Sequence, residues 1–257
     1  MKTNVTGISN KGVKIGSTTV RTELIIGADG IESVVGHWAG LDTTLALADI
    51  GICSKYVVSD FEHDHHKVEM YWGDKIVSGC GYAWVFPRGD GSANVGLGVA
   101  GVHVPKTGTR PVLDEFVKFR CGKNCNKSNH QVGSIPQSSP MTTAVSGNVI
   151  LVGDAARFTI PLTGSGIGHA LYSGALAVET ILEMREKGAG LDYLKTYDAR
   201  WRARLVRKLK RAYKLKERFR QDRNAIERMF RILKPFVILH RMFPSVVEKL
   251  ALRDFRY

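Results

Sequence analysis

The spacing of apolar residues predicts a strand, a turn and a helix within residues 147–179, the segment around which the chain is organised. Asn148–Val152 is a short apolar run that predicts a buried strand. A carboxylate, Asp154, and a glycine turn follow this run. Apolar residues and glycine then recur at helical spacing, so we expect a helix to begin near Gly166. The positions with this spacing are Ile167, Leu171, Gly174, Val178 and Ile181.

This order of strand, carboxylate, glycine turn and helix suits a cofactor that has hydroxyl groups and negative charge. Asp154 can accept hydrogen bonds from sugar or ribityl hydroxyls. Gly164 and Gly166 allow the backbone to approach a flat ring closely. The N–H groups at the start of the helix favour an anion. The alternative is a buried strand, turn and helix whose glycines serve only packing, and this segment alone leaves both interpretations open.

Short β-branched segments separated by glycine, asparagine and aspartate predict strands through most of the first 100 residues. The predicted strands are Asn4–Ser9, Val13–Gly16, Thr19–Arg21, Leu24–Ile26, Ala46–Ser54, Tyr56–Ser59, Lys67–Trp72, Ile76–Val77, Ala83–Pro87 and Ala93–Val99. Beyond them we expect a short helix over Asp114–Arg120, a long basic helix over 192–224 and a helix over Ala225–Leu252 that Pro235 and Pro244 interrupt.

Alternation within one predicted strand places Tyr82, Trp84 and Phe86 on the same face. Three aromatic rings in a row form a wide apolar wall, which fits a long apolar ligand or simply a packed core. Arg88, just beyond them, can pair with a phosphate or polar head group, or remain a solvated surface charge. Gly96 and Gly98 lie in the next predicted strand, where glycine marks a bulge or a close approach.

Three stretches together resemble the flavoprotein superfamily of aromatic hydroxylases and geranylgeranyl reductases. ELIIGADGIESV at 23–34 resembles the family's DG motif, and GDAARFTIPLTGSGIGHAL at 153–171 resembles its GD motif. GYAWVFPRGDGSANVGLG at 81–98 is similar to a signature of archaeal geranylgeranyl reductases, with Arg88 where lysine is usual. Ile160 stands where the family often has asparagine.

The resemblance implies FAD as the cofactor and an isoprenoid lipid as the substrate. The residues it implies for FAD are Asp29, Gly30, Asp154, Gly164, Gly166 and Ile167. Those it implies for the substrate are Tyr82, Trp84, Phe86, Pro87, Arg88, Gly96 and Gly98. Arg157 is expected to approach the flavin or to pair with Asp154, and His169 is a further candidate near the flavin. No general acid is identified, and Tyr82 is a candidate by position alone.

The fold class implied is α+β or α/β: a partial, Rossmann-like FAD-binding domain, an antiparallel-sheet substrate domain and C-terminal helices. The expected boundaries are 1–34 for the end of the FAD-binding domain, 35–146 for the sheet domain, 147–190 for the return to the FAD-binding domain and 191–257 for the basic helices. The family opens with a βαβ unit that carries GxGxxG, which this sequence lacks. We therefore expect the chain to correspond to the C-terminal part of a longer enzyme and to bind FAD poorly by itself.

Charge is concentrated in the basic tail, residues 198–257, which holds 19 of the 37 Lys and Arg and 6 of the 24 Asp and Glu. The tail therefore accounts for the whole net charge of +13. Its apolar stripe and basic face are typical of a helix that lies on an anionic membrane surface. Two alternatives stay open: packing on the body with the charges in water, or docking of an acidic ferredoxin. No recognition motif favours nucleic acid.

The cysteines and histidines of the sequence do not indicate a metal site or a dithiol site. The four cysteines, Cys53, Cys80, Cys121 and Cys125, have no zinc-site or dithiol spacing and are expected as free thiols. His63, His65 and His66 are expected in a polar surface turn, with no metal site. No apolar run has the roughly 20 residues of a spanning helix. We expect a cytoplasmic protein that is peripheral at the membrane and accepts electrons from reduced ferredoxin or NAD(P)H.

The main hypothesis is an FAD-dependent reductase that saturates C=C bonds in the geranylgeranyl chains of archaeal-type membrane lipids. A second hypothesis is an FAD-dependent monooxygenase of the same superfamily, which oxygen uptake without alkene reduction would favour. The third is an inactive truncated fragment whose basic tail binds membranes.

Overall fold

The computed structural model describes residues 3–9, 11–73, 76–77, 81–222 and 228. Two compact units make up the chain, residues 1–216 and 217–257, and all strands and helices α1–α4 lie in the first. The strands are β1 Gly7–Ser9, β2 Gly12–Ile15, β3 Thr18–Arg21, β4 Ile25–Gly27, β5 Ile50–Ser59, β6 Glu69–Tyr71, β7 Tyr82–Pro87, β8 Ala93–Ala100, β9 Asn126–Pro136, β10 Val145–Ser146 and β11 Val149–Leu151. The helices are α1 Val34–Trp38, α2 Arg110–Cys121, α3 Ile167–Glu186, α4 Lys195–Trp201 and α5 Arg207–Gln221.

A parallel pair of strands brings the two ends of the candidate cofactor site together. β4 and β11 run side by side, with Ile25 opposite Val149 and Gly27 opposite Leu151, and β10 adds an antiparallel neighbour to β11. Parallel strands need a long crossover connection, and here all five strands of the larger antiparallel sheet lie between them in sequence. Because parallel strands end at the same edge of a sheet, the turns after Gly27 and Leu151 are neighbours.

The larger sheet is antiparallel and has the strand order β6-β7-β8-β5-β9. One face of this sheet packs against the apolar side of α2 and forms an apolar core with it. β7 and β8 contribute every second residue to this core. The buried residues of this core are Tyr56, Val58, Val77, Ala83, Val85, Ala93, Val95, Leu97, Val99, Leu113, Phe116 and Val117. The aromatic side chains of β7 therefore point away from this core, since they occupy the intervening positions.

A second core joins the β10-β11-β4 sheet to α3 and α4. Phe158, Tyr197 and Trp201 are fully buried, and the rings of Phe158 and Trp201 lie 4.8 Å apart. The Tyr197 hydroxyl donates to the Leu151 carbonyl at 3.0 Å. The buried carboxylate of Asp198 accepts from the Ala144 N–H at 2.9 Å and from the Trp201 Nε1–H at 2.8 Å. The first residues of the basic tail are therefore part of this core.

The mixed fold class is confirmed, and most predicted strands lie within a few residues of the observed ones. The predicted strands Ala46–Ser54 and Tyr56–Ser59 form one strand, β5, which keeps its pairing to β9 across a bulge between Lys55 and Val57. Ile76–Val77 is wrong as a strand, because the two residues lie in a turn closed by N–H bonds to the Gly73 carbonyl.

The sequence did not predict β9, an 11-residue strand. Its residues are mostly polar and exposed, and it has one strand neighbour, β5, within the described part of the chain. An edge strand of this kind lacks the apolar alternation that marks a half-buried strand. The predicted helix over Ala225–Leu252 lies outside the described residues, Arg228 excepted, and the four domain boundaries remain predictions.

Candidate functional site

The turn after β4 is held by the Asp29 carboxylate. It accepts hydrogen bonds from the Ser33 hydroxyl at 2.5 Å and from the Val35 N–H at 2.9 Å. Ser33 in turn caps α1 by accepting from the Gly36 N–H at 2.9 Å. Gly30 has φ +85°, a conformation that glycine adopts without strain. Through these hydrogen bonds Asp29 fixes the start of α1. Asp29 itself is exposed, so the turn faces solvent.

The turn after β11 holds Asp154 against the first residues of α3. One carboxylate oxygen, Oδ1, accepts from the Thr159 hydroxyl at 2.5 Å. A Cβ added to Gly166 would lie 2.9 Å from that hydroxyl and 3.0 Å from Oδ1, so a side chain there would push the pair apart. The second oxygen, Oδ2, accepts no hydrogen bond from the described residues. Asp154 thus presents one carboxylate oxygen beside the helix terminus.

Helix α3 begins at Ile167 without a side-chain cap on its first turn, so N–H groups there remain available. The Gly153 N–H donates to the Ser173 hydroxyl at 3.0 Å, which fixes the turn on the helix. His169 is occupied locally, since its Nδ1 lies 2.6 Å from the Phe158 carbonyl. N–H donors and a carboxylate acceptor lie side by side, a set that fits a cofactor with an anionic ring and a hydroxyl-bearing chain.

The aromatic side chains of β7 line the sheet face opposite the core under α2. The ring centroids of Tyr82 and Trp84 lie 5.6 Å apart, and those of Trp84 and Phe86 lie 5.7 Å apart. Trp84 pairs across the strands with Gly96, where an added Cβ would lie 2.4 Å from the indole ring. Gly98 is the second small residue beneath the indole. The glycines therefore let the Trp84 ring lie flat on β8.

Two side chains of the sheet contact the glycine turn that precedes α3. The Tyr82 hydroxyl donates to the Thr163 carbonyl at 2.7 Å. The second contact is between the Ile135 side chain and Gly164, which has a φ of +73°. A Cβ added to Gly164 would lie 2.7 Å from the Ile135 side chain. The turn, and with it Gly166 and Asp154, thus lies directly beside the aromatic face. Spacing along the sequence gave no signal for Ile135, which belongs to the unpredicted strand β9.

A free thiol lies in the same row of the sheet as Tyr82. Register places Tyr82 opposite Gly98 and Gly98 opposite Cys53, so the phenol and the thiol flank a glycine on one face. Burial raises the pKa of the Cys53 thiol to about 11. Burial also raises the pKa of Tyr82, and the nearby thiol adds to the effect. Both groups therefore keep their protons at neutral pH.

The remaining predicted residues have other surroundings. Arg88 is partly exposed, with its Nε 3.5 Å from the Asp90 carboxylate, and Pro87 ends β7 opposite Ala93. The predicted pairing of Arg157 with Asp154 is wrong, because the Arg157 guanidinium donates to the Asp42 and Thr44 carbonyls at 2.9 and 3.0 Å.

A cavity of about 300 Å³ lies beside Arg157, between segments 41–49 and 138–143. Apart from Arg157, its lining includes none of the residues predicted for the cofactor or the substrate. His63 stacks on Phe61, with ring centroids 4.5 Å apart.

Part of the predicted membrane-facing stripe of the basic tail is buried. Trp201, Leu205 and Leu209 are at most 7% exposed and belong to the core around α3 and α4. The amine of Lys216 is also buried, 2.6 Å from the Asp49 carboxylate. The apolar residues pack on the body, as one alternative expected, and cannot contact a membrane. The buried Lys216 departs from that alternative, which placed the charges in water. Within the described residues, no helix is both long and apolar enough to cross a bilayer.

Comparison with known proteins finds a matching family model and curated relatives of similar sequence. Residues 49–134 match the family model of the geranylgeranyl reductase catalytic domain. The digeranylgeranylglycerophospholipid reductase of Methanosphaerula palustris is 41% identical over 210 residues, which are 79% of this chain and 51% of that protein. The reductase of the same name from Methanospirillum hungatei is 42% identical over 206 residues, 78% of this chain and 50% of that protein.

Solved structures agree with the fold. A geranylgeranyl bacteriochlorophyll reductase-like protein from Thermoplasma acidophilum superposes with a TM-score of 0.77 at 30% identity, over 84% of this chain and 57% of that one. HpxO from Klebsiella pneumoniae, solved in complex with FAD, has a TM-score of 0.58 at 17% identity over 95% of this chain and 68% of its own, and shares the fold alone. The chain spans about half the length of the curated relatives it matches, and it belongs to the geranylgeranyl reductase family.

Proposed function

We propose that this chain is the substrate-binding part of an FAD-dependent reductase that saturates C=C bonds in the geranylgeranyl chains of membrane lipids. The curated relatives are digeranylgeranylglycerophospholipid reductases, which supports this substrate class. The observation that carries the proposal is the hydrogen bond from Tyr82 to the Thr163 carbonyl. Through it, the apolar aromatic face and the candidate cofactor turn share one boundary, as transfer between a cofactor and an apolar chain requires.

On the cofactor side, Asp154 would accept hydrogen bonds from the hydroxyl chain of FAD, while the N–H groups at the start of α3 would stabilise negative charge. Gly164, Gly166 and Ile167 would form the surface for the ring, and Asp29 and Gly30 would contribute the neighbouring turn. When bound, FAD supplies the hydride for the alkene. The residues of the chain orient the two partners and exclude water. Tyr82 acts as a positioning residue, because its proton is committed to the Thr163 carbonyl.

On the substrate side, Tyr82, Trp84 and Phe86 form the wall along which the isoprenoid chain lies, and Gly96 and Gly98 set the depth of the wall. Burial of apolar surface supplies the binding energy, about 25 cal/mol per Å². Cys53 lies in the same row and adds a small, neutral contact. Pro87 and Arg88 lie at the end of the wall, where Arg88 reaches a polar head group by leaving its exposed partner Asp90.

The enzyme reaches its lipid substrate through contact with an anionic membrane surface. The exposed cations Arg207, Lys210, Arg211 and Lys214 of α5 support this proposal. Near an anionic leaflet each Lys or Arg contributes about 1 kcal/mol, and salt screens the effect. Reduced ferredoxin and NAD(P)H are the two proposed electron donors, and the same basic surface suits an acidic ferredoxin.

The test is reduction of a digeranylgeranylglycerophospholipid by this chain co-expressed with the half of the Methanosphaerula palustris reductase that it does not match, with added FAD and dithionite as reductant. Mass spectrometry should show a gain of two hydrogens for each bond reduced. Trp84→Ala should lower lipid binding and reduction at least about tenfold, because it removes the centre of the apolar wall. Phe119→Ala is the matched control, since Phe119 is 72% exposed on α2, beyond the core on the opposite face.

Two results would contradict the proposal. The first is oxygen-dependent hydroxylation of a substrate without alkene reduction, which would favour the monooxygenase. The second is lipid binding that Trp84→Ala leaves unchanged, which would remove the aromatic face from the substrate site.

A further inference from the structure

A lysine lies on the same face of the sheet as the aromatic wall. Register places Lys55 of β5 opposite Gly96 of β8, and Gly96 opposite Trp84 of β7, so the three residues form one row across the strands. Lys55 is half-buried, and its Nζ donates to the Asn94 Oδ1 at 3.3 Å. Asn94 belongs to the next row, opposite Phe86. The end of the wall at Phe86 therefore carries a cation and an amide.

Neither the fold nor a neighbouring carboxylate accounts for this lysine. β5 is an interior strand, since β8 and β9 pair with it on either side, so Lys55 does not protect a sheet edge from further pairing. In the part of the chain that the structure describes, Lys55 forms no salt bridge. An ammonium group has three N–H donors, and a partly desolvated charge is costly without a counterion. The Asn94 carbonyl carries no charge and accepts one of these donors, so the lysine suits an anionic ligand.

Two arginines near the sheet differ from Lys55 because each has a carboxylate partner. Arg88, just beyond β7, has its Nε 3.5 Å from the Asp90 carboxylate. On the opposite face, Arg120 of α2 pairs with Glu69 at 2.5 Å. Lys55 can therefore bind an anion without first leaving a carboxylate, which Arg88 has to do.

We propose that Lys55 and Asn94 bind the phosphate group of the isoprenoid lipid and so determine which way the lipid lies on the wall. This proposal rests on the proposed function, because it assigns a site to the polar end of that substrate. The ammonium group of Lys55 supplies the charge, and the Nδ2–H donors of Asn94 add hydrogen bonds to the phosphate oxygens.

The position of this phosphate site determines which part of the lipid reaches the candidate cofactor turn. Asn94 and Gly98 both lie on β8, and a strand rises about 13 Å over the four residues that separate them. Gly98 is opposite Tyr82, whose hydroxyl contacts the turn at the Thr163 carbonyl. A lipid held by its phosphate at Asn94 therefore places a double bond remote from its head group beside the turn, rather than the first one.

The test compares geranylgeranyl phosphate with geranylgeraniol, two ligands that differ only in the phosphate group. Isothermal titration calorimetry measures their binding to the 257-residue chain without flavin, and the phosphate should bind at least about tenfold more tightly. Lys55→Met should lower the affinity for the phosphate at least about tenfold, because it removes a charged hydrogen-bond donor, and should leave the affinity for the alcohol unchanged. Lys55→Arg keeps the cation and should retain most of the affinity for the phosphate.

Lys118→Met is the matched control, since it removes the same charge from an exposed position of α2, beyond the core on the opposite face. It should leave both affinities unchanged. Circular dichroism establishes that each variant is folded, and Lys55→Gln replaces Lys55→Met if that variant is not.

Several outcomes would overturn the phosphate site. The first is equal affinity of the unaltered chain for the two ligands, binding of neither included. An undiminished affinity of Lys55→Met for the phosphate would assign the phosphate to another cation, and a loss of affinity for both ligands would make Lys55 a structural residue. Inorganic phosphate that binds as tightly as geranylgeranyl phosphate, and only when Lys55 is present, would assign the site to free phosphate. Binding of geranylgeranyl phosphate that depends on Lys55, without reduction of any double bond by the co-expressed halves, would support the phosphate site while contradicting the proposed function, so the two failures are distinguishable.

Discussion

The hydroxyl of Tyr82 donates a 2.7 Å hydrogen bond to the carbonyl of Thr163, a residue 81 positions away in the sequence. This bond joins the aromatic face of the antiparallel sheet to the glycine turn that precedes α3. Ile135, on β9, contacts the same turn at Gly164. The turn therefore has a polar and an apolar contact with the sheet, which together determine how close the candidate cofactor and substrate surfaces lie.

Tyr82→Phe removes the polar contact and should loosen the turn without unfolding the sheet. One hydrogen bond contributes about 0.5–1.5 kcal/mol to the free energy of unfolding. Hydrogen exchange followed by mass spectrometry should show faster exchange in residues 163–166. Tyr71→Phe is the control, because Tyr71 donates to Glu69 on the other face of the sheet. Equal exchange rates in the Tyr82 variant and the unaltered protein would show that the bond does not hold the turn.

Gly96→Ala should destabilise the protein because the added methyl group would lie 2.4 Å from the Trp84 ring. Overpacking of this kind costs about 1–3 kcal/mol. Gly133→Ala is a matched control, since Gly133 is also in a strand and has no atom within 4 Å of an added Cβ. Urea unfolding measures both free energies. A Gly96 variant as stable as the Gly133 variant would mean that Trp84 is not packed on β8.

The Glu69–Arg120 pair should make the stability of the protein depend on pH. Arg120 donates to both Glu69 oxygens, at 2.6 and 2.5 Å, and these bonds are the largest cause of the lowered pKa of Glu69. The hydrogen bond from Tyr71 also lowers this pKa, whereas burial raises it. A carboxylate whose pKa is lowered by folding stabilises the folded state at pH values above 4.5, its pKa in the unfolded chain. This contribution is lost as the pH falls through the lower pKa of the folded state.

Glu69→Gln should therefore cost about 1–3 kcal/mol at neutral pH, and its stability should fall less steeply below pH 4.5 than that of the unaltered protein. Urea unfolding at several pH values measures both slopes. Glu115→Gln, on the exposed side of α2, controls for the general loss of one carboxylate. Parallel slopes for the Glu69 variant and the unaltered protein would contradict the assignment.

The sequence predicted the parts of the site that are local. The run Asn148–Val152, the turn at Asp154 and the helix after Gly166 are continuous in sequence, so periodicity and glycine positions were sufficient. Alternation likewise placed Tyr82, Trp84 and Phe86 on one face.

The relationships between distant segments were not predictable in this way. The bond of Tyr82 to Thr163 depends on how the antiparallel sheet packs against the turn before α3, and Ile135 lies on a polar strand that has no apolar pattern. The spacing of Trp201, Leu205 and Leu209 fits a membrane-bound helix and a core helix equally well, and the structure buries all three. An apolar stripe in a sequence indicates that the stripe is covered, but it does not indicate whether a membrane or the protein core covers it.

Lys216 supplies the last prediction, because its ammonium group is buried where the connection before β5 meets the segment after β9. Its Nζ donates to the Asp49 carboxylate at 2.6 Å, to the Gln137 carbonyl at 2.7 Å and to the Ala48 carbonyl at 3.2 Å. Lys216→Met keeps most of the apolar length of the side chain but leaves these acceptors without their donor. Removing one partner of a buried ion pair costs about 3–5 kcal/mol.

Thermal and urea unfolding should show this loss for Lys216→Met, and Asp49→Asn in the same chain should restore part of it, since the unpaired carboxylate is then gone. Lys195→Met is the matched control: Lys195 pairs with Asp192 at the same 2.6 Å distance, but the two side chains are 75% and 92% exposed. Water screens that pair, so its loss should change the free energy of unfolding far less than the loss of the Lys216 contacts does. Equal effects of the two lysine substitutions would show that burial does not strengthen the Lys216 contacts, and the connection between the two segments would then depend on apolar packing alone.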